Sequence, residues 1–322
     1  MKRAVSAIIK IAVSAVILFV LFRRMDHAAF WKTLRAMDLP LAVLAGFIFT
    51  FSQGVSTYRW SIILKRDVDI SYLKLLSIYF IGMFFNNFLP TAVGGDVVKG
   101  YYLYRESQRG DVSLASIFMD RYSGFTALMF MTAIALVPGY ALIAGTGITG
   151  FFVLLIGGFA AMSLVIWVGP LHSRAMSMLA KVNLYGINKK IDTFYRVLMG
   201  YKRRPRILAR IFLCSLIVQG SVIIGYFVLS RGLGMRVGLG YFFLFIPLTT
   251  AVAMLPVSLS GLGLRESAFM FLFTKAGALE EEAFTLSLMW FGISAVVSMI
   301  GGIEYLRMGA KAGEAPPEIG PE

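Results

Sequence analysis

The chain has 322 residues, of which 58% are hydrophobic and 15% are charged, and its formal net charge is +14. This composition excludes an ordinary soluble domain and predicts an all-α polytopic membrane protein. The basic residues concentrate between apolar runs, as in cytoplasmic loops, so the positive charge does not indicate a nucleic-acid partner. A single cysteine, Cys214, excludes an internal disulfide, and two separated histidines do not indicate a metal site.

Six apolar stretches are predicted to be full membrane spans. The first, 5–22, follows a charged amino end, as a signal peptide would, but FRRMD stands where a small-residue cleavage site would lie. We therefore predict a retained span. Each of the others is long enough to cross a hydrocarbon core of ~30 Å; they are 39–64, 113–137, 149–168, 207–230 and 283–306.

Two further apolar regions, 72–108 and 241–276, are interrupted near the middle by proline and glycine. Their arms of about 15 residues are short for a complete crossing. We predict two broken re-entrant hairpins, each entering and leaving the membrane on one side. Pairs of short tilted spans are the alternative, and the loop charges do not exclude them.

Loop charges predict the orientation. The segment 170–210 contains ten Lys or Arg and one acidic residue, whereas 138–148 has no charge. We place the first in the cytoplasm and the second outside. Both termini of this multi-pass protein then lie on the cytoplasmic side of the cell (inner) membrane. One membrane domain, 1–307, is followed by a tail, 308–322, that is predicted to be disordered.

An internal repeat links the two broken regions. LPTAVGGDVVK (89–99) and LPVSLSGLGLR (255–265) share a Leu-Pro, a central glycine and a final basic residue at equal spacing, 166 residues apart. Each copy lies between two spans, which predicts units of about 39–137 and 207–306. The predicted orientation makes this repeat inverted, an arrangement that places a site near the bilayer midplane. Chance likeness is the alternative, since Leu-Pro and Gly are common in membrane helices.

The breaks themselves predict an anion site. Pro90 and Pro256 each end a helix, and the glycines that follow permit the turn that restarts one. Broken backbone at membrane depth is tolerated only inside protein or beside a wet cavity. The restarted helix presents its free N–H groups and positive dipole end there, which favours an anion.

Four stretches resemble a known family: YRWSIIL (58–64), NNFLPTAVGGDVVKGYYLYR (86–105), FMDRYSGF (118–125) and LPVSLSGLGLRESAF (255–269). Over about 5–307 the chain is similar to the membrane region of lysylphosphatidylglycerol synthases and to their free-standing, flippase-like relatives. The resemblance implies movement of a lipid, or of a lipid-linked headgroup, between leaflets. The chain ends without the aminoacyl-transferase domain of the full synthases, so their synthase activity is not implied.

Ionisable side chains inside a membrane usually line a cavity or pair with each other. We predict that Lys99 and Arg265, at equivalent repeat positions, bind a phosphate, with backbone N–H donors from Gly94–Gly95 and Ser260–Gly261. The other predicted substrate-binding residues are Arg59, Asp96, Asp120, Arg121 and Glu266. Structural pairing is the alternative for these charges, Asp96 with Lys99 and Asp120 with a basic neighbour. Asn86 and Asn87 are predicted to satisfy backbone groups freed at the break.

These features lead to a flippase-like translocase for an anionic phospholipid or a polyprenyl-phosphate-linked lipid. The alternatives are a membrane-embedded glycosyl or lipid-headgroup transferase using Asp96 and Asp120, and an accessory scaffold for a lipid-modifying enzyme. No catalytic constellation is recognised, and no cofactor or metal is predicted. The predicted partners are the lipid substrate and, under the scaffold hypothesis, that enzyme.

Overall fold

The computed structural model describes residues 14–312, except 15, 18, 24–25, 66, 89–93, 145–147, 181–194, 196–198, 203 and 254–260. In this part of the chain there are α-helices and no strand. In chain order the helices are α1 (His27–Arg35), α2 (Leu39–Leu64), α3 (Tyr72–Phe88), α4 (Gly94–Ser107), α5 (Gly110–Ile143), α6 (Ile148–Trp167), α7 (Gly169–Ala180), α8 (Pro205–Gly232), α9 (Leu239–Ala253), α10 (Leu264–Lys275) and α11 (Glu280–Ala312).

Five of these helices, α2, α5, α6, α8 and α11, are long and apolar enough to cross a membrane. They confirm five of the six predicted spans, and the remaining one, 5–22, lies largely outside the described residues. Helix α5 is longer than its predicted span of 113–137 and contains Pro138. The difference arises because hydropathy identifies only the apolar part of a helix, whereas the hydrogen-bonded helix continues past it into polar sequence.

The four arms of the broken regions are short. Helices α3 and α4 have 17 and 14 residues, and α9 and α10 have 15 and 12. Each is shorter than the ~20 residues that a complete crossing needs. The predicted arm lengths are thus confirmed, whereas Pro90, Pro256 and Ser260 at the breaks lie outside the described residues.

Two helices arise where loops were predicted. Helix α1 begins after Asp26, whose carboxylate accepts hydrogen bonds from the N–H groups of Ala28 and Ala29 and so caps the helix. Helix α7 begins at Gly169 and continues into the basic segment 170–210, which is predicted to be a cytoplasmic connection. Helix α11 continues to Ala312, past the predicted end of the membrane domain at 307. Short helices such as α1 and α7 carry no strong hydropathy signal, so hydropathy alone does not predict them.

The centre of the protein is an antiparallel pair, α2 and α8. At one end, Asp38 donates its N–H to the carbonyl of Gly232 at 2.8 Å. At the other end, Arg59 donates to the Ser215 hydroxyl at 2.9 Å. Rising residue numbers in α2 therefore meet falling numbers in α8, and the two helices run in opposite directions.

The helices of the two predicted units pack in matching ways. In the first unit α2 contacts α3 and α5, and α4 contacts both α3 and α5; in the second, α8 contacts α9 and α11, and α10 contacts both α9 and α11. Between the units, α3 packs on α11, and its counterpart α9 packs on α5. Every pairing around the first hairpin thus has an equivalent around the second.

Glycines allow the two arms of the first hairpin to touch. A Cβ atom at Gly95 would lie 1.8 Å from the carbonyl oxygen of Gly82, so only hydrogen fits between α3 and α4 there. The N–H of Gly95 donates to the Asn86 side chain at 2.8 Å. The close approach fixes the start of α4, and with it the position of Lys99.

Gly95→Ala is expected to force α3 and α4 apart, because backbone atoms cannot yield as a flexible side chain can. Overpacking of this kind costs about 1–3 kcal/mol or more. The control is Gly157→Ala on α6, where an added Cβ meets nothing within 4 Å. Thermal unfolding in detergent should show a clear loss for Gly95→Ala alone, and equal melting temperatures for the two variants would contradict the packing described.

Candidate functional site

A buried ion pair joins α2 to α5. Arg59 donates from Nε and Nη2 to Oδ1 of Asp120, at 3.0 and 2.7 Å. Both residues are almost fully buried, with 4% and 2% of their surface exposed. Arg59 lies about 7 Å from the end of α2 and Asp120 about 15 Å from the start of α5, at ~1.5 Å rise per residue. The pair therefore lies inside two helices that are long and apolar enough to cross a membrane, toward the end of α2 and the start of α5.

Lys99, on α4, extends into the same cluster. Its ammonium nitrogen lies 4.0 Å from the ring centre of Tyr79 and 4.6 Å from that of Trp60, which places the cation over two aromatic faces. Its one hydrogen-bond acceptor among the described residues is Oδ2 of Asp120, at 3.5 Å. That distance is long for a charged hydrogen bond, whose usual length is about 2.7–2.9 Å. Two of the three ammonium donors of this side chain, only 4% exposed, thus meet no protein acceptor in the described structure.

Asp96 is held by a second arginine. Arg121 donates from Nε and Nη2 to the two carboxylate oxygens of Asp96, at 2.8 and 2.9 Å, in a bidentate pair. The carboxylate side chain is 11% exposed, but the arginine side chain is 52% exposed. This pair ties α4 to α5 and forms the open edge of the cluster.

The charges of this first cluster do not cancel. Within the described part of the chain it contains three cations, Arg59, Lys99 and Arg121, and two carboxylates, Asp96 and Asp120. Residues 89–93, which connect the hairpin arms, carry no ionisable side chain. An excess positive charge at low dielectric is costly unless an anion accompanies it.

The equivalent cluster of the second unit is balanced. Arg265 donates from Nη2 and Nε to Oε1 of Glu266, at 2.7 and 3.1 Å. The Ser287 hydroxyl lies 2.9 Å from Arg265 and donates to Glu266 at 3.0 Å. Oε2 of Glu266 also accepts from the N–H of Gly263 at 2.7 Å. Glu266 is fully buried, and its partners hold it there as one neutral unit.

The repeat extends to the helix that supports each cluster. Arg121 on α5 and Ser287 on α11 are 166 residues apart, the spacing that separates Lys99 from Arg265. Each binds the carboxylate carried by its restarted helix, Asp96 in the first unit and Glu266 in the second. The supporting positions match, whereas the carboxylates do not, because Asp96 precedes Lys99 and Glu266 follows Arg265.

The structure brings most of the predicted residues into these two clusters. Arg59, Asp96, Lys99, Asp120 and Arg121 lie together in the first, and Arg265 and Glu266 in the second. The predicted pair of Asp96 with Lys99 is wrong, because Asp96 pairs with Arg121 and Lys99 with Asp120. The N–H of Gly95 donates to Asn86, as predicted for that asparagine, so it is not the free phosphate donor that was predicted. Asn87 donates to Ser294 on α11.

Sequence reasoning missed the neutral members of the site. Trp60 and Tyr79 flank the Lys99 ammonium, Ser215 supports Arg59, and Ser287 supports Arg265. Trp60 lies within YRWSIIL, one of the stretches that carried the family resemblance. The repeat spacing applied to Arg121 would have indicated Ser287. Ser215 has no such signal, because serine is frequent in membrane helices.

The spans and the buried ion pairs define a polytopic α-helical membrane protein with an ionised cluster among its helices. The chain belongs to the family described as the lysylphosphatidylglycerol synthase TM region, which matches residues 7–302. It is also similar to the UPF0104 membrane protein PH1989 of Pyrococcus horikoshii, with 25% identity over 300 residues that cover 86% of this chain and 89% of that protein. This membership is consistent with a lipid-related role in a membrane.

Proposed function

We propose that the protein is a flippase-like translocase that moves an anionic phospholipid or a polyprenyl-phosphate-linked lipid between leaflets. The observation that carries the proposal is Lys99, a buried ammonium. Among the described residues it has a single long hydrogen bond, in a cluster with one excess positive charge. A lipid phosphate would supply both the missing negative charge and the missing acceptors. The membrane depth of the cluster supports a lipid as the source of that phosphate.

In this proposal the two equivalent cations contribute unequally. Lys99 is the main phosphate ligand, because the described residues of its cluster carry a net positive charge. Arg265 is already neutralised by Glu266, and its side chain is 14% exposed. It can add a guanidinium donor to the phosphate without being the source of the net attraction.

We also infer that the two units form an inverted repeat. The antiparallel course of α2 and α8, which begin the two units, supports this, because corresponding helices of an inverted repeat must point in opposite directions. The matching contacts of α3 with α11 and of α9 with α5 support it as well. Such an architecture lets one unit rock against the other and expose a shared site to each side in turn.

Neither described carboxylate of the first cluster suits a catalytic role. A general base needs a carboxylate within reach of a substrate proton, but Asp120 is held by Arg59 and Asp96 by Arg121. This arrangement favours binding over group transfer. Purified protein in vesicles tests the choice: exchange of a labelled anionic lipid between leaflets supports translocation, whereas a new lipid product in the mass spectrum, without exchange, would overturn it.

The proposed orientation places 170–206 in the cytoplasm and 138–148 outside, with both termini cytoplasmic. Cysteines introduced at Lys190 and Thr146, in a Cys214→Ser background, should therefore react with a membrane-impermeant reagent from opposite sides. Both positions lie outside the described residues and are chosen from the sequence. Labelling of both from one side would refute the orientation.

A further inference from the structure

A cleft opens between α5 and α9 on the outside of the helix bundle. Its volume is about 440 Å³, within the usual ~300–1,000 Å³ of ligand pockets. The lining consists of one apolar face of α5 and the first turn of α9, namely Met131, Ile134, Ala135, Pro138, Gly139, Gly240 and Phe243. The spacing of the α5 residues, three and four apart, places them along one side of that helix.

The equivalent contact between the two predicted units, that of α3 with α11, is closed. Helix α3 packs so tightly on α11 that a Cβ at Gly301 would lie 1.9 Å from the carbonyl oxygen of Phe80. A Cβ at Gly302 would similarly lie 2.9 Å from the Phe84 ring. At the α5–α9 contact, a Cβ at Gly139 would lie 2.5 Å from the Leu244 side chain, but a Cβ at Gly240 would meet nothing within 4 Å. The α3–α11 contact is therefore sealed, whereas its counterpart between α9 and α5 is partly open.

The position of the cleft determines what can fill it. Its walls belong to a helix long and apolar enough to span a membrane and to the apolar arm beside it, and Ile134 in the wall is 57% exposed. In the part of the chain that the structure describes, no charged or strongly polar side chain lines the cleft. A hydrocarbon chain satisfies such a surface, whereas water or a charged headgroup would lose hydrogen bonds there.

The cleft and the charged cluster lie in opposite halves of α5. Met131, where the cleft begins, is about 16 Å along α5 from Asp120, and the cleft continues toward the carboxyl end of the helix, at ~1.5 Å rise per residue. The Arg59–Asp120 pair lies in the half where α5 begins. A lipid that exchanges leaflets must occupy both halves in succession, with its headgroup passing through the protein and its chains remaining in hydrocarbon.

We propose that the α5–α9 cleft binds one hydrocarbon chain of the transported lipid and is the lateral opening to the leaflet at the carboxyl end of α5. This inference rests on the proposed translocase function. The cleft would be a second binding site for the lipid, which contacts its hydrocarbon chain, in addition to the phosphate site at Lys99. The contact of α3 with α11, which is the counterpart of the α9–α5 contact, is closed. Helices in these equivalent positions can therefore also pack without such an opening.

The test obstructs the cleft after the protein has folded. Gly240→Cys in a Cys214→Ser background is reconstituted into vesicles and then modified with hexyl methanethiosulfonate, which attaches a six-carbon chain that a reductant removes. The rate of leaflet exchange of labelled phosphatidylglycerol should fall at least tenfold on modification and recover on reduction. The control is Gly157→Cys on α6, which is exposed and has the same open space around its Cβ position.

The possible outcomes separate this inference from the function on which it rests. If the cysteine-free parent does not exchange lipid faster than empty vesicles, the translocase proposal fails. If the parent exchanges lipid but modified Gly240→Cys does so at the parent rate, the cleft is not on the route and this inference alone is wrong. Failure of the thiol at 240 to react, while the thiol at 157 reacts, would show that the cleft is closed in the membrane and would equally overturn it.

Discussion

Asp120→Asn is expected to lower the free energy of unfolding by about 3–5 kcal/mol, the usual cost of breaking a buried ion pair by removing one partner. Asp120 is the acceptor for both Arg59 and Lys99, and all three side chains are nearly inaccessible. Without the carboxylate, two cations would remain buried with no counter-charge. Chemical unfolding in detergent micelles measures the loss.

The matched control is Asp96→Asn, on the same cluster. Its partner Arg121 is 52% exposed and can be solvated when the carboxylate is removed, so we expect a loss of at most about 1 kcal/mol, as for exposed pairs. Replacing Arg59 and Asp120 together by Met and Leu should recover much of the stability lost in Asp120→Asn. Wild-type stability in Asp120→Asn would show that this pair does not hold α2 against α5.

Lys99→Gln is expected to weaken the binding of a short-chain anionic lipid by roughly ten- to a hundred-fold. A hydrogen bond to a charged group contributes about 1.5–3 kcal/mol, and each 1.4 kcal/mol is a factor of about ten in Kd. The fold should survive, because Asp120 keeps two hydrogen bonds from Arg59 after Lys99 is removed. Titration with dihexanoylphosphatidylglycerol, followed by the shift in melting temperature, measures both effects on one sample.

Arg265→Gln should behave differently, and the contrast separates a ligand cation from a structural one. Its removal leaves Glu266, which is 0% exposed, without its guanidinium partner. We therefore expect a lower melting temperature without lipid for Arg265→Gln, and little such change for Lys99→Gln. If Lys99→Gln instead loses stability and keeps its lipid affinity, Lys99 is a structural partner of Asp120 and the phosphate site is wrong.

The membrane-spanning helices could be predicted from the sequence because burial in lipid leaves a local signal. Every residue of a span faces hydrocarbon or protein, so an apolar run such as 149–168 is sufficient to locate α6. Pro and Gly are similarly local, and the short arms of α3 and α9 followed from them. The proposed repeat was suggested by two stretches that share the same spacing of Leu-Pro, Gly and a basic residue.

The pairing of the charges could not be predicted in this way. Asp96 had Lys99 one helical turn away, yet it pairs with Arg121 on another helix. A bidentate arginine pair is stronger than a single contact along one helix, and only the folded positions of α4 and α5 make it available. The aromatic faces of Trp60 and Tyr79 around Lys99 are likewise a product of packing between α2, α3 and α4. The sequence therefore predicts which residues belong to the cluster, but it does not predict which of their charges pair with each other.

The most direct test of the translocase proposal is the rate at which labelled phosphatidylglycerol exchanges between leaflets of vesicles containing wild-type protein, Lys99→Gln or Lys74→Gln. Lys74 is the control, since it lies on the same hairpin in an exposed pair with Glu106 and should contribute little. We predict rapid exchange for wild type and Lys74→Gln, and a rate at least tenfold lower for Lys99→Gln. Exchange by Lys99→Gln at the wild-type rate, or by wild type no faster than in protein-free vesicles, would contradict the account.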